Sequence, residues 1–245
     1  MPTKTIRGSN IELFRIFSAF IIMMCHSATF GGYGLPHTFN FRGLYVNTLT
    51  PVLGNLGVYS FVAIGGYFGI KSSFKASRIV KVCTITIFYA LFGYVLATQI
   101  PDFTNGYKLS FKDIYYSVLS PATGNVFWYP NVYIALMLMS PWINRFLLSL
   151  TAKDFRKLLL TEYLLFSVFY TVIRANGVTS DFCVFVLVYS AAAYVRLHDC
   201  AYFKRKWLPL LVSVVGILLA AVLQIAYRHI PEGKFVYTII KIPTA

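Results

Sequence analysis

The chain is poor in charged residues. Of its 245 residues, 12% are Asp, Glu, Lys or Arg, whereas soluble domains carry about 25%. Hydrophobic residues make up 58% and include 22 Phe and 18 Tyr. This composition argues against an ordinary soluble core. It predicts an all-α protein, a polytopic transmembrane helix bundle whose partner is the lipid bilayer.

Acidic residues are scarcer than basic ones, and the net charge is +14. In a soluble protein that charge would suggest nucleic acid. Here the basic residues cluster in short connections between apolar runs, and no aromatic-basic stripe occupies a polar face, so nucleic acid is excluded as a partner. The four cysteines form no CxxC pair, so neither a disulfide framework nor a metal site is predicted; they are Cys25, Cys83, Cys183 and Cys200.

Apolar runs separated by charges predict seven complete spans and a partial eighth. A cleavable signal is excluded because the first run is too long and carries two charges in its first turns. The eighth span begins near Phe235 and stops at Ala245. A helix of that length covers about half of the hydrocarbon thickness of a bilayer. We therefore expect one domain over residues 1–245, incomplete at its C-terminus. The complete spans are predicted at residues 10–30, 51–70, 82–100, 126–148, 158–174, 180–196 and 207–227.

The distribution of Lys and Arg predicts which end of the bundle is cytoplasmic. Most basic residues fall on the side of the N-terminus, so the N-terminus is predicted to be cytoplasmic. The long connections 31–50 and 101–125 then face outward. Gly65 and Gly69 form a small-xxx-small pair that predicts close helix packing. Pro141 should free a carbonyl near Met137.

The first span carries the most informative pair of side chains. Arg15 and His26 are eleven positions apart, so a helix would place them on one stripe, about 16 Å apart along the axis. An ionisable residue inside a span is a functional-site hypothesis by default. Glu12 lies three residues before Arg15, close enough for an ion pair. The alternatives are that Arg15 reaches to the membrane interface and that His26 is a structural residue.

The segment NIELFRIFSAFIIMMCH (residues 10–26) resembles the opening of the acyltransferase 3 family, whose first helix carries an arginine, ten residues and a histidine. Three later blocks are also similar to that family, and the resemblance covers residues 9–205. Family members are longer and have more spans, which supports the expected truncation. The later blocks contain Gly65-Gly66-Tyr67 where the family has Ser-Gly-Tyr, then Ser140, Pro141 and Asn144, then Ala193, Tyr194 and Arg196.

The resemblance implies a multi-pass enzyme of the bacterial inner membrane that transfers an acyl group, most often acetyl, from acyl-CoA. The acceptor would be a hydroxyl of a cell-surface glycan or glycolipid, and acetyl-CoA would be a substrate rather than a bound cofactor. His26 is the predicted general base, since the pKa of histidine lies near neutrality. Arg15 is predicted to hold a phosphate or carbonyl of the donor, and Glu12 to orient Arg15.

Other side chains carry less specific signals. Trp128, Tyr129 and Tyr133 offer aromatic faces that suit sugar binding, although interfacial anchoring explains them as well. Glu162 either pairs with Lys157 or Lys153 or lines the cavity. Ser140 and Asn144 are expected to pack or to bond the kinked backbone.

Two other functions remain open from the sequence. A transporter or flippase of a lipid-linked or polyol substrate would also carry charges in early helices and proline in spans, although no inverted repeat is visible. An inactive truncated remnant is the other alternative.

Overall fold

A computed structural model describes residues 9–30, 50–99, 110–124, 127–168, 181–198, 207, 211 and 214–219. Within these residues the chain is helical and contains no strand. The helices are α1 (Ser9–Phe30), α2 (Thr50–Gly69), α3 (Ala76–Gln99), α4 (Phe111–Thr123), α5 (Trp128–Ser149), α6 (Ala152–Tyr163) and α7 (Asp181–Leu197). Helix α6 continues directly into a π-helical segment, Leu164–Val168.

Four of the described helices are long and apolar enough to cross a membrane. They are α1, α2, α3 and α5, and their apolar windows are Asn10–Ser27, Val52–Gly69, Ala76–Leu96 and Trp128–Ser149. The all-helical class is thus confirmed for the described residues, and these four helices are candidate membrane spans. The count of seven spans and the cytoplasmic N-terminus stay predictions, and the predicted partial eighth span lies outside the described residues.

Helix α2 occupies the centre of the bundle and packs against both α1 and α7. Glycines permit this close packing. A Cβ on Gly57 would lie 2.9 Å from the Ser18 carbonyl oxygen of α1, and a Cβ on Gly66 would lie 2.9 Å from the Cα of Tyr189 in α7. The sequence singled out Gly65 and Gly69; Gly69 does approach Tyr189, but the tightest backbone approach to α7 is at Gly66.

The buried core lies where α2, α5 and α7 meet. Its least exposed members include Val62 of α2, Leu136 of α5, Phe155 of α6, and Phe185 and Ala193 of α7. In a bilayer such contacts gain van der Waals packing, since lipid is as apolar as the core. Small residues at the α2 interfaces therefore matter as much as the large apolar ones.

Helix α4 falls inside the connection 101–125, which the sequence analysis treated as a loop. Its start carries a capping box: the Ser110 hydroxyl accepts from the Asp113 backbone N–H at 3.3 Å, and the Asp113 carboxylate accepts from the Ser110 backbone N–H at 2.9 Å. Its end is Gly124, whose φ of 70° is left-handed and suits glycine. The expectation of a loop was wrong because these local signals form a helix too short to span.

The region around Pro141 in α5 behaves partly as predicted. The Ser140 hydroxyl donates to the Met137 carbonyl at 2.8 Å, which satisfies the oxygen that Pro141 cannot bond. Asn144 instead joins three helices: its amide donates to the Gly69 carbonyl at 3.0 Å, and its side-chain oxygen accepts from the Tyr189 hydroxyl at 2.8 Å. Asn144 therefore links α2, α5 and α7.

Glu162 takes neither of the positions proposed from the sequence. Its carboxylate is buried between α6 and α7, where the Ser190 hydroxyl donates to it at 3.4 Å. Lys157 pairs with Asp154 at 3.4 Å instead. Glu162 is not among the described residues that line the cavity below.

Candidate functional site

A cavity of about 590 Å³ lies between α1, α2, α3 and α5. Its volume falls within the range of about 300–1,000 Å³ that is usual for small-molecule sites. Each of these helices contributes to its wall, through Arg15 of α1, Gly65 of α2, Thr86 of α3 and Tyr133 of α5. The cavity extends to the connection between α2 and α3.

Cationic side chains dominate the ionisable groups of the cavity. Arg15, Lys75 and Arg78 line it, and the described lining residues include no Asp or Glu. The Ser72 and Ser73 side chains lie beside them, and Arg78 donates to the Ser72 hydroxyl at 3.0 Å. This donor set suits an anion such as a phosphate, because guanidinium and ammonium groups bind anionic oxygens through charge-assisted hydrogen bonds.

Local backbone structure brings Lys75 and Arg78 to the cavity. The chain turns at the end of α2, where the Ser72 N–H donates to the Gly69 carbonyl at 3.0 Å, and enters α3, where the Arg78 N–H donates to the Lys75 carbonyl at 3.0 Å. The two cations therefore lie at the N-terminal end of a 24-residue helix. The positive end of its dipole adds to their charge.

Arg15 forms the predicted ion pair with Glu12, at 2.8 Å between Nη1 and Oε1. Both side chains are 40% exposed, and an ion pair of this kind contributes about 0–1 kcal/mol. Glu12 is not among the lining residues. Its position fits the predicted role of orienting the guanidinium.

Aromatic rings form another part of the wall. Tyr129 and Tyr133 both line the cavity, and their rings stack at 5.7 Å between centroids with an interplanar angle of 12°. Trp128 lies next to them, 6.1 Å from the Tyr129 ring and 6.2 Å from Phe185, but is not a lining residue. Of the residues predicted from the sequence, the cavity thus brings together Arg15, Tyr129 and Tyr133.

His26 lies on the same stripe of α1 as Arg15, within about 20°, because α1 is one continuous helix. Its side chain is exposed and is not among the residues that line the cavity. The neighbouring Cys25 lies beside Gly54, near the start of α2, whereas Arg15 lies at the level of Gly65. The roles of Arg15 and His26 stay predictions, and the geometry brings only Arg15 to the cavity.

Sequence reasoning missed Lys75 and Arg78 as site residues. Both were read only as markers of the cytoplasmic side. The available signal was a pair of cations three positions apart directly after an apolar span, which a helix start would place on one face. Because the cavity forms only when α1 and α5 pack beside that turn, the pair did not stand out from the other basic residues.

The described residues contain no group of three or more His, Cys, Asp or Glu side chains that could hold a metal ion. The cavity offers cations, hydroxyl groups and the Asn144 amide instead. By their chemistry these groups suit an anionic or polar organic ligand.

The four blocks that resemble the acyltransferase 3 family meet at this cavity. They contribute Arg15, Gly65, Asn144 and Tyr189 to its wall. A comparison with protein families gives the same result: the model of that family, described as an acyltransferase domain, matches residues 9–242. The chain belongs to the acyltransferase 3 family.

A search of curated proteins and a search of solved structures gave no match to this chain. The family match and the four apolar helices together support a membrane acyltransferase in general.

Proposed function

We propose that this acyltransferase takes its acyl group, most simply acetyl, from acyl-CoA, and that the donor occupies the cavity. The observation that carries the proposal is the set of three cations, Arg15, Lys75 and Arg78, with no carboxylate among the described lining residues. CoA is strongly anionic through its phosphates, so it complements such a site. In this proposal acetyl-CoA is a substrate, and no cofactor is bound.

The predicted orientation supports this placement. A cytoplasmic N-terminus puts the turn that carries Lys75 and Arg78 on the cytosolic side, where acyl-CoA is present. The phosphates would meet Lys75 and Arg78 at the entrance. The pantetheine arm would then extend past Arg15 into the membrane.

The acceptor is proposed to be a hydroxyl of a cell-surface glycan or glycolipid, with the enzyme as a multi-pass protein of the inner membrane. The stacked rings of Tyr129 and Tyr133, with Trp128 beside them, offer faces on which a sugar ring can pack. They belong to the first turns of α5, whereas Asn144, near the other end of α5, bonds to Gly69 beside the turn that carries Lys75. Donor and acceptor would therefore approach from opposite ends.

In the proposed reaction the acceptor hydroxyl attacks the thioester carbonyl. The bond from the carbonyl carbon to the acceptor oxygen forms, the bond to sulfur breaks, and CoA leaves as a thiol after taking a proton. His26 does not line the cavity, and it is proposed as the base that removes the hydroxyl proton where the thioester extends beyond the cavity along α1. Its distance from Arg15, about 16 Å along α1, is comparable to the reach of a pantetheine arm.

Binding of the donor can be tested without knowing the acceptor. We expect Lys75→Gln and Arg78→Gln each to weaken acetyl-CoA binding about tenfold or more in lipid nanodiscs, since a charged hydrogen bond contributes about 1.5–3 kcal/mol. Lys81→Gln is the matched control, because Lys81 is exposed on the same helix and does not line the cavity. Equal losses in all three variants would contradict a donor site in the cavity.

The predicted base is tested by acyl transfer in membranes. His26→Ala should abolish release of CoA from acetyl-CoA in the presence of acceptor glycans while donor affinity is retained. Full activity of this variant would show that His26 is not the base. Movement of the acceptor across the membrane without consumption of acetyl-CoA would favour a transporter instead.

A further inference from the structure

Helix α4 presents an apolar surface that no described part of the protein covers. Phe111, Ile114, Tyr115 and Val118 are all exposed, and Phe111 is 83% exposed. Their spacing of i, i+3, i+4 and i+7 places them within an arc of about 100° on one side of the helix. We call these four residues the outer arc.

The buried side of α4, which lies beside the outer arc, carries two serines and Pro121. Ser117 and Ser120 are fully buried, and the helix packs against α3 and α5. The Ser117 hydroxyl donates to the Asp113 carbonyl at 2.7 Å. In a water-soluble protein an amphipathic helix buries its apolar side, so the polarity of α4 is reversed. Such a reversal is stable where the surroundings are themselves apolar.

Polar bonds at the C-terminal end of α4 attach it to α5. The Asn131 amide donates to the carbonyls of Pro121 at 3.1 Å and Ala122 at 2.7 Å. The Gly124 N–H donates to the Ser120 carbonyl at 2.9 Å. The Asn131 bonds hold the C-terminal end of α4 against α5, while the outer arc stays exposed.

The helices on both sides of α4 are long and apolar enough to cross a membrane. Helices α3 and α5 are candidate spans, and α4 connects the end of one to the start of the other. Exposed aromatic side chains of α3, such as Phe88 and Phe92, also face away from the protein. The outer arc and the exposed side of the neighbouring candidate span are therefore both apolar.

We propose that the outer arc of α4 is a lipid-binding surface that lies against the acyl chains of the bilayer. Lys112 and Thr123 lie on one flank of the helix, about 100° or more from Phe111, and both are exposed. The Lys112 ammonium lies over the Tyr116 ring at 5.6 Å. An apolar arc flanked by a cation and aromatic rings is the pattern of helices that lie at a membrane surface.

The test uses a photoreactive residue, p-benzoylphenylalanine, placed singly in the full-length chain reconstituted in liposomes of phosphatidylethanolamine and phosphatidylglycerol. Positions 111, 115 and 118 sample the outer arc, and positions 112 and 123 are matched controls on the same helix. Position 88 in α3 is the positive control for lipid contact. After irradiation, mass spectrometry counts lipid adducts and protein cross-links.

We expect several-fold more lipid adduct at the outer arc than at positions 112 and 123, with a yield close to that of position 88. Equal yields at both sets of positions would overturn the proposal. So would cross-links between two copies of the chain at the outer arc, since these would identify a protein partner. The proposal would also be refuted if position 88 formed lipid adducts and the outer arc formed none, since the outer arc would then lie in water.

A second measurement uses water access in the same liposomes. Phe111→Cys and Lys112→Cys are exposed to a membrane-impermeant maleimide, and labelling is quantified on the peptide that contains α4, so that the native cysteines do not interfere. We expect labelling at position 112 and protection at position 111. Equal labelling of the two positions would contradict lipid contact at the outer arc.

Discussion

The closest approach between α2 and α7 leaves no room for a side chain at Gly66. An added Cβ would lie 2.9 Å from the Cα of Tyr189 and 3.0 Å from its carbonyl carbon, and would contact its carbonyl oxygen more closely still. These are backbone atoms, which cannot rotate away as the end of a side chain can. Gly66→Ala must therefore push the two helices apart.

The expected loss follows from two opposing effects. Alanine favours a helix over glycine by about 0.8–1.0 kcal/mol. Overpacking a close contact costs about 1–3 kcal/mol and more where the backbone must shift. The separation also loosens Val62 and Phe185, which are fully buried beside Gly66 and Tyr189 in the core. We expect a net loss of about 1–3 kcal/mol in the free energy of unfolding.

Gly93→Ala is the matched control. Gly93 is also within a candidate span, but a Cβ there would have no neighbour within 4 Å, so this variant should keep or slightly raise stability. The free energies of unfolding are compared by denaturant titration in detergent micelles, followed by circular dichroism. A Gly66→Ala protein within about 0.5 kcal/mol of the parent, the usual range of neutral surface changes, would refute the close packing of α2 and α7.

Three further predictions concern polar contacts and caps. Asn144→Ala should lower stability by about 1–3 kcal/mol, because it removes the side-chain bond to the Gly69 carbonyl, which keeps the Ser72 N–H, and the bond from the buried Tyr189 hydroxyl. A double-mutant cycle with Tyr189→Phe should show coupling of about 0.5 kcal/mol or more, and strict additivity would contradict the bond. Gly124→Ala should lower the free energy of unfolding by about 1 kcal/mol, because the φ of Gly124 is 70° and a side chain is strained in that left-handed conformation. Gly93→Ala is its control. Ser110→Ala should cost about 0.5–2 kcal/mol through loss of the capping box, and an unchanged midpoint of unfolding would show that α4 does not depend on this cap.

The arrangement of the cavity links the fold to the proposed chemistry. Asn144 fastens the end of α2 to α5 and α7, and the turn that follows α2 carries the cavity's cations. Loss of this junction would therefore move Lys75 and Arg78 relative to Tyr133. We expect stability and donor affinity to fall together in Asn144→Ala, whereas Arg78→Gln should lower donor affinity alone.

Much of the fold could be predicted from local sequence. Long apolar runs gave α1, α2 and α5 to within two residues at each end, because a bilayer requires helices of that length. The start of α3 was placed six residues too late, since Arg78 and Lys81 were taken as loop charges rather than as residues of its first turns. Helix α4 was missed because a 13-residue helix with a mixed pattern gives no span signal.

The sequence by itself determined the membrane class, the family and the alignment of Arg15 with His26, since hydropathy, motif order and helical period are local properties of the chain. Only the tertiary structure decided which side chains share a cavity. It placed Arg15 with Lys75, Arg78, Tyr129 and Tyr133, and it left His26 outside the lining. The reason is physical: which face of a helix meets a cavity depends on where glycines let its neighbours approach and where a residue such as Asn144 bonds across three helices.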